Sequence, residues 1–286
     1  MPSDQSPTVR RRRLGAELKR LREEAGVTRD QAAERLDSWA SKISRIEIGR
    51  SGIRKIDLEA LLDLYRVDDQ RLRDALVRLV RDGRKRGWWS DQKGVLDHVF
   101  FDFVTMEGEA EQLRSFENHV VPGLFQTEDY VRALCTGAGT HDGTVADGIV
   151  ERRMERQKVL VREQPPHVTT VVHEAALHVM VGGAKVMKDQ LLRLTEINDP
   201  QQSSIQVLPN VHGAHPGVEG SFLIVSYPDP VDWDVVFVDY MLGGTYVEEP
   251  GQVRQYCRTF EHLRSVALSS PQSNDLILRI ARDLDR

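Results

Sequence analysis

The stretch from Thr28 to Gly49 constrains this chain more than any other. Its apolar spacing predicts two helices, Thr28 to Leu36 and Ala40 to Ile48, and helices so short do not persist in water by themselves. Neighbouring helices must clamp them. Thr28 is placed to cap the first, and Gln31 three positions later completes a reciprocal capping pattern. Ala33 falls where the two helices cross, a point that admits only a small side chain. Leu36 plugs the core before the turn, and Ile43 and Ile46 are the inward positions of the later helix. Its outward face is then Ser41, Lys42, Ser44 and Arg45. In the turn, Asp37 tolerates left-handed geometry better than most residues. The N-cap of the later helix falls on Asp37 or Ser38, beside the less usual Trp39.

The clamps are legible on both sides. Leu14, Leu18 and Leu21 form a helical stripe that Gly26 ends, while Leu58, Leu61, Leu62 and Tyr65, then Leu72, Leu76, Leu79 and Val80, mark two further helices. The pattern is an all-α helix-turn-helix unit over residues 14–80. Before it, residues 1–9 carry no periodicity and read as a disordered tail. With Arg10 to Arg13 they make a basic arm, 1–13, either entering a minor groove or simply solvated. A linker is expected over 81–94, around the polar cluster Arg81 to Gly87 and Trp88-Trp89. From residue 95 to 286 strand-like runs alternate with helical stripes, which predicts an α+β domain: a mixed sheet with flanking helices. The expected strands are Val168 to His173, Ile205 to Leu208, Phe222 to Tyr227, Val235 to Tyr240 and Thr245 to Val247, the last two joined by a turn at Gly243-Gly244. The expected helices are Ile149 to Val161, Ala184 to Ile197, Val253 to Ala267 and Leu276 to Leu284.

The net charge of −5 conceals an asymmetry. Residues 1–86 hold 22 Lys+Arg against 15 Asp+Glu, a balance of +7, and the remaining 200 hold 17 against 29, a balance of −12. The front suits a polyanion and the rear does not. By position Ser41, Lys42, Ser44 and Arg45 face base edges, Arg45 foremost because guanidinium bonds guanine in a bidentate way. Arg29, Arg50, Arg54 and Lys55 are candidates for phosphate contact. Cys135 and Cys257, the only cysteines, lack metal or redox spacing and suit a reducing compartment as core residues. With no long apolar run, the chain is expected to be cytoplasmic and not in a membrane.

From Leu14 to Val67, and most specifically in SKISRIEIGR from Ser41 to Arg50, the chain resembles the XRE, Cro and phage-repressor type of helix-turn-helix regulator. The resemblance implies binding to double-stranded DNA. It also implies that Arg22 of the first helix pairs with Glu47 after the recognition helix, as a structural ion pair.

VVPGLFQTEDYVRAL, from Val120 to Leu134, resembles a signature of an uncharacterised domain that follows such units in many actinobacterial regulators. Further matching pieces are Glu174 to Leu177, Val181 to Gly183, Gln206 to Pro209 and Gly213 to Gly217. That family is regulator-like or antitoxin-like, which implies control by a small protein partner encoded nearby. A homodimer is expected as well, because one helix-turn-helix reads only half a site. Two alternatives stay open: an antitoxin-like protein neutralising a small partner, and a DNA-tethered metal enzyme using His212 and His215, with Glu219 and His173-Glu174 as further ligands. HxxH in a Gly/Pro-rich loop is commoner as turn chemistry. No GxSxG, Walker or HExxH motif occurs, and no cofactor, metal or catalytic residue is assigned. Phe100, Phe101, Phe103, Phe116, Phe125 and Tyr130 are expected in the core before any pocket.

Overall fold

The computed structural model describes residues 9–82, 98–137, 143–227, 234–240 and 243–285. They fall into two compact units that divide near Thr105, each taken here by itself. Of the expected linker over 81–94, Arg81 and Asp82 belong to a helix, and the rest, including Trp88 and Trp89, lies outside the described residues.

The first unit contains α1 (Val9–Glu24), α2 (Arg29–Arg35), α3 (Ala40–Glu47), α4 (Lys55–Leu64) and α5 (Gln70–Asp82). Leu14, Leu18 and Leu21 of α1 meet Ala32, Ala33, Ile43, Ile46, Leu58, Leu61, Leu62, Tyr65, Leu72 and Leu76 in one core. Full burial of a Leu or Ile is worth about 1.5–3 kcal/mol, so tertiary packing holds helices that propensity alone cannot. The helix ends are set by left-handed residues. At the end of α1 Gly26 has φ 67°, and Val27 N donates to Arg22 O at 3.0 Å. At the end of α2 Asp37 takes φ 48°, with Ser38 N donating to Ala33 O at 2.9 Å. Both closures use the same paired bonds back into the helix.

Two expectations need correction here. The basic run Arg10 to Arg13 belongs to α1 and is no extended arm, because arginine is a good helix former and nothing between Pro7 and Gly26 breaks the helix. The N-cap of α3 is neither Asp37 nor Ser38 but Trp39, at φ −112° and ψ 148° and without a side-chain cap bond. Asp37 and Ser38 are already committed to closing α2.

The division at Thr105 falls within α6 (His98–Glu107). The second unit has β1 (Gln112–Glu117), α7 (Glu128–Gly137), α8 (Gly143–Gln157), β2 (His167–His173), α9 (Gly183–Ile197), β3 (Ser203–Leu208), β4 (Phe222–Ser226), β5 (Val235–Tyr240), β6 (Gly243–Val247), α10 (Pro250–Val266) and α11 (Ser270–Asp283). The sheet order is β3-β2-β1-β4-β5-β6. β1 pairs parallel with β2, and β2 with β3, while β4, β5 and β6 are joined antiparallel. Phe116, Val171, Leu208, Phe222, Ile224 and Val236 point to one face and pack on Val253, Phe260 and Leu263 of α10. Strand alternation sends Glu117 to the opposite face. The outer edge of β3 is covered: Ser273 Oγ accepts from Val207 N at 2.8 Å and Asn198 Oδ1 from Ile205 N at 2.8 Å, which removes an open pairing edge.

All the expected strands are present, but Gly243 and Gly244 are not the turn. They already lie in β6, opposite Tyr240 and Asp239, and a side chain at Gly244 would strike the Phe237 ring at 2.1 Å. The central strand β1 escaped the apolar pattern. Phe103, Phe116, Phe125 and Tyr130 are buried, whereas the side chains of Phe100 and Phe101 lie outside the description. Cys135 is buried and Cys257 half-buried.

Candidate nucleic-acid interface

The site is built on α3, whose position is fixed from behind. Thr28 Oγ1 accepts from Gln31 N at 3.2 Å and Thr28 N donates to Gln31 Oε1 at 2.8 Å, the reciprocal cap expected at the start of α2. Ile43, Ile46 and Glu47 form the buried side of α3. Two glycines determine how closely α1 approaches it: Gly15, which sequence reasoning did not single out, and Gly49, which it read as the end of the later helix. A Cβ on Gly15 would sit 2.3 Å from Ile46 O and 2.5 Å from Glu47 O. Gly49, at φ 75°, ends α3 so tightly that a Cβ there would lie 2.7 Å from Arg12 N. Both obstacles are backbone and cannot swing aside.

At that crossing Arg22 Nε donates to Glu47 Oε1 at 2.5 Å and its Nη2 to Glu47 Oε2 at 3.3 Å, both side chains being buried. Arg22 Nη1 also donates to Val27 O at 2.9 Å. The Glu47 hydrogen bond, followed by the opposing effect of burial, raises the Arg22 pKa. Burial, aided by the Glu47 charge, likewise raises the Tyr65 hydroxyl. The pair therefore ties the first helix to the end of the recognition helix through a closed, compensated charge contact.

Opposite this anchor, Ser41 and Arg45 are exposed and Lys42 and Ser44 half-buried. Arg45 and Arg50 are held by no ion pair among the described residues, which leaves both guanidinium groups available. The other proposed phosphate ligands are partly engaged. Arg29 Nε donates to Glu47 Oε2 at 3.0 Å, Arg54 grips Asp57 through Nε at 3.0 Å and Nη2 at 2.8 Å, and Lys55 lies 3.5 Å from Glu59. Trp39, at 75 % exposure, stands at the start of the same face.

The histidine loop is arranged differently from a metal centre. His212 is exposed, whereas the His215 ring stacks on His173 at 4.9 Å between centroids and meets Phe116 edge-on at 5.6 Å. His215 Nδ1 accepts from Gly217 N at 3.2 Å and His173 Nδ1 from Ala175 N at 3.3 Å. Burial lowers both imidazole pKa values. Glu174 Oε2 accepts from Asn210 N at 2.7 Å. Among the described residues, no three His, Cys, Asp or Glu side chains converge in a way that could hold a metal.

A buried ion pair behind a short helix whose outer face is polar and basic defines a helix-turn-helix protein, and residues 13–76 match a family described as a helix-turn-helix domain. Residues 100–279 match a second family, described as a domain of unknown function, DUF5753, and the chain belongs to that family. No curated protein sequence and no solved structure matches the chain. The helix-turn-helix supports a DNA-binding regulator. Among the described residues no helix is long and apolar enough to cross a membrane.

Proposed function

We propose that this protein is a sequence-specific transcriptional regulator that inserts α3 into the major groove as a homodimer and is controlled through its rear domain. Ser41, Lys42, Ser44 and Arg45 address base edges, while Arg29, Arg50, Arg54 and Lys55 lie against phosphates. The observation that carries this reading is the division of α3: Ile43, Ile46 and Glu47 are buried behind it, and Arg45 stands exposed and unpaired in front. On the domain boundaries read from the sequence, the −12 balance keeps the rear domain off DNA and suits it to dimerisation and to a small partner protein. A partner that changes dimer geometry changes operator affinity by linkage, and the reverse follows in equal measure.

The test compares Arg45→Ala with Arg50→Ala on the operator and on random duplex. Arg45→Ala is expected to cost about 1–3 kcal/mol at one base position and relax preference there, whereas Arg50→Ala weakens every sequence alike. Equal losses on both duplexes for both variants would overturn the docking geometry. Sedimentation of the full chain with and without operator checks the dimer, and a monomer in both conditions removes it.

A further inference from the structure

β2 ends at His173, which lies beside Leu208, the last residue of β3. The chain leaving β3 returns to this edge of the sheet, because the His215 ring stacks on His173 at 4.9 Å and meets Phe116 of β1 edge-on at 5.6 Å. A Cβ on Gly217 would lie 2.4 Å from the Phe116 ring, so the returning segment passes as closely as a bare backbone allows. Gly213, at φ 76°, and Gly220, at φ 147°, bracket the contact, and glycines at such angles are points about which a segment turns.

Each ring is committed to one tautomer. His173 Nδ1 accepts from Ala175 N at 3.3 Å and His215 Nδ1 from Gly217 N at 3.2 Å. A neutral imidazole that accepts at Nδ1 carries its proton on Nε2. A further proton would place an N–H at Nδ1, facing a backbone N–H, and so break the bond that aims the ring. With both rings charged, the stack becomes a repulsion between like charges 4.9 Å apart. The contact is therefore one of neutral rings.

The surroundings favour that neutral state. Burial is the largest influence and lowers both imidazoles from the usual 6.5. The charges of His173 and His212 lower His215 further, while Glu174 opposes at His173. Glu174 is already engaged, its Oε2 accepting from Asn210 N at 2.7 Å and its Oε1 lying 3.6 Å from His178 Nε2. From β1 the stack meets only the apolar ring of Phe116, followed by the neutral Asn118, whose Nδ2 donates to Gly217 O at 3.4 Å. No carboxylate bonds either stacked ring among the described residues.

We propose that this stack is an acid-released latch: neutral His173 and His215 hold the segment from Asn210 to Gly217 against the end of β2, and protonation of either ring frees it. The latched state binds protons less readily than the open one, so acid drives opening by linkage. The hold is complete above the ordinary histidine range and is lost as pH falls through and below it. Opening is confined, because Ser221 Oγ donates to Asn118 Oδ1 at 2.9 Å and neither group titrates, which keeps the far end of the segment in place. The latch goes beyond the DNA-binding reading and does not depend on it.

The test follows hydrogen exchange of the full chain at about pH 7.5 and about pH 5.5, on either side of the histidine range, each corrected for the intrinsic rate. Protection of residues 209–217 is expected to fall about tenfold in acid while β1, β2 and β3 keep theirs. His215→Phe leaves a ring between His173 and Phe116 that cannot take a proton, and is expected to show equal protection at both pH values. His173→Gln, which retains an acceptor for Ala175 N and cannot become charged, is the second variant and carries the same expectation if His215→Phe fails to fold. His212→Gln, at an exposed neighbour, is expected to respond like the parent. Parent protection that does not change with pH overturns the latch without need of a variant. A response in His215→Phe or His173→Gln equal to the parent's overturns it as well, since the titrating group would then be Glu174 or His212.

Discussion

The two units treat buried charge in opposite ways. In the helical unit Arg22 and Glu47 are brought together with two hydrogen bonds between them and a third from Arg22 to Val27 O, so their burial is compensated and the contact is closed. In the sheet unit burial pushes Glu117 up to about 7, opposed only by a hydrogen bond from Ser221 and the charges of Arg156 and Arg153, and Arg153 itself is bonded to the neutral Gln126. A closed pair serves architecture, because its energy depends on holding one helix against another. A buried group with no opposite charge bonded to it lowers stability instead. The helical unit therefore compensates its buried charge, and the sheet unit leaves part of its own uncompensated.

The largest expected effect comes from breaking the closed pair. Arg22→Ala leaves Glu47 buried beside Tyr65 without its principal partner, at a cost of about 3–5 kcal/mol for a fully buried charge. Arg29, half-exposed, remains to compensate part of this. Chemical denaturation of the full chain measures it, and a midpoint like the parent's would mean the pair is not the anchor described here. Next in size is the crossing. Gly15→Ala places a methyl against the carbonyls of Ile46 and Glu47, and an overpacked contact costs about 1–3 kcal/mol. Because the displaced element is α3, operator affinity is expected to fall together with stability. Unchanged affinity in a folded Gly15→Ala variant would separate the crossing from the function.

The contrast between the units also marks how far the sequence could be read. The helical unit was legible because its signals are local: Thr28 with Gln31, Ala33, the Ile43 and Ile46 spacing and the left-handed Asp37 each decide structure within a few residues. It misled only where a local signal was overridden, as when Asp37 and Ser38 closed α2 and left Trp39 to begin α3. The sheet unit was half legible. Runs such as Val168 to His173 declare themselves, but β1 has polar residues at four of its six positions. Its place at the sheet centre depends on distant partners: Ser115 Oγ lies 2.9 Å from Thr170 Oγ1, and Arg114 Nη2 donates to Asp234 at 2.7 Å. Glu117 and Arg153 went unnoticed for the same reason, since only the fold unites residues from β1, α8 and β5. Gly15 and Gly49 left a trace in the sequence as glycines beside helical stripes, although nothing local says what they meet.

The charge asymmetry supplies a smaller and more graded effect. Binding of the full chain to duplex DNA is expected to weaken steeply with salt, and Arg50→Ala to reduce the log–log slope by about 0.9, the share of one phosphate. Asp239→Asn changes a charge of the sheet unit and is expected to leave that slope alone. A slope that moves equally for both variants would dissolve the separation of roles between the units.

The smallest effect is one of pH and concerns Glu117. Its carboxyl is held near 7 in the folded chain against a usual value of 4.5, so between these values the folded state keeps a proton that the unfolded state has released. Stability therefore falls as pH rises through that window. Below it both states are protonated and no penalty exists; above it both are ionised and the penalty is complete. Glu117→Gln removes the titration while keeping the shape of the protonated acid. The variant is expected to match the parent near pH 4.5 and to exceed it in unfolding midpoint at pH 7 and above, by an amount that solvent at the half-exposed carboxyl keeps small. His173 and His215 titrate alike in both proteins, so their contribution cancels in the difference. A difference that does not vary with pH would show Glu117 to be an ordinary solvated carboxylate, and the sheet unit would then lose the uncompensated charge that sets it apart from the helical one.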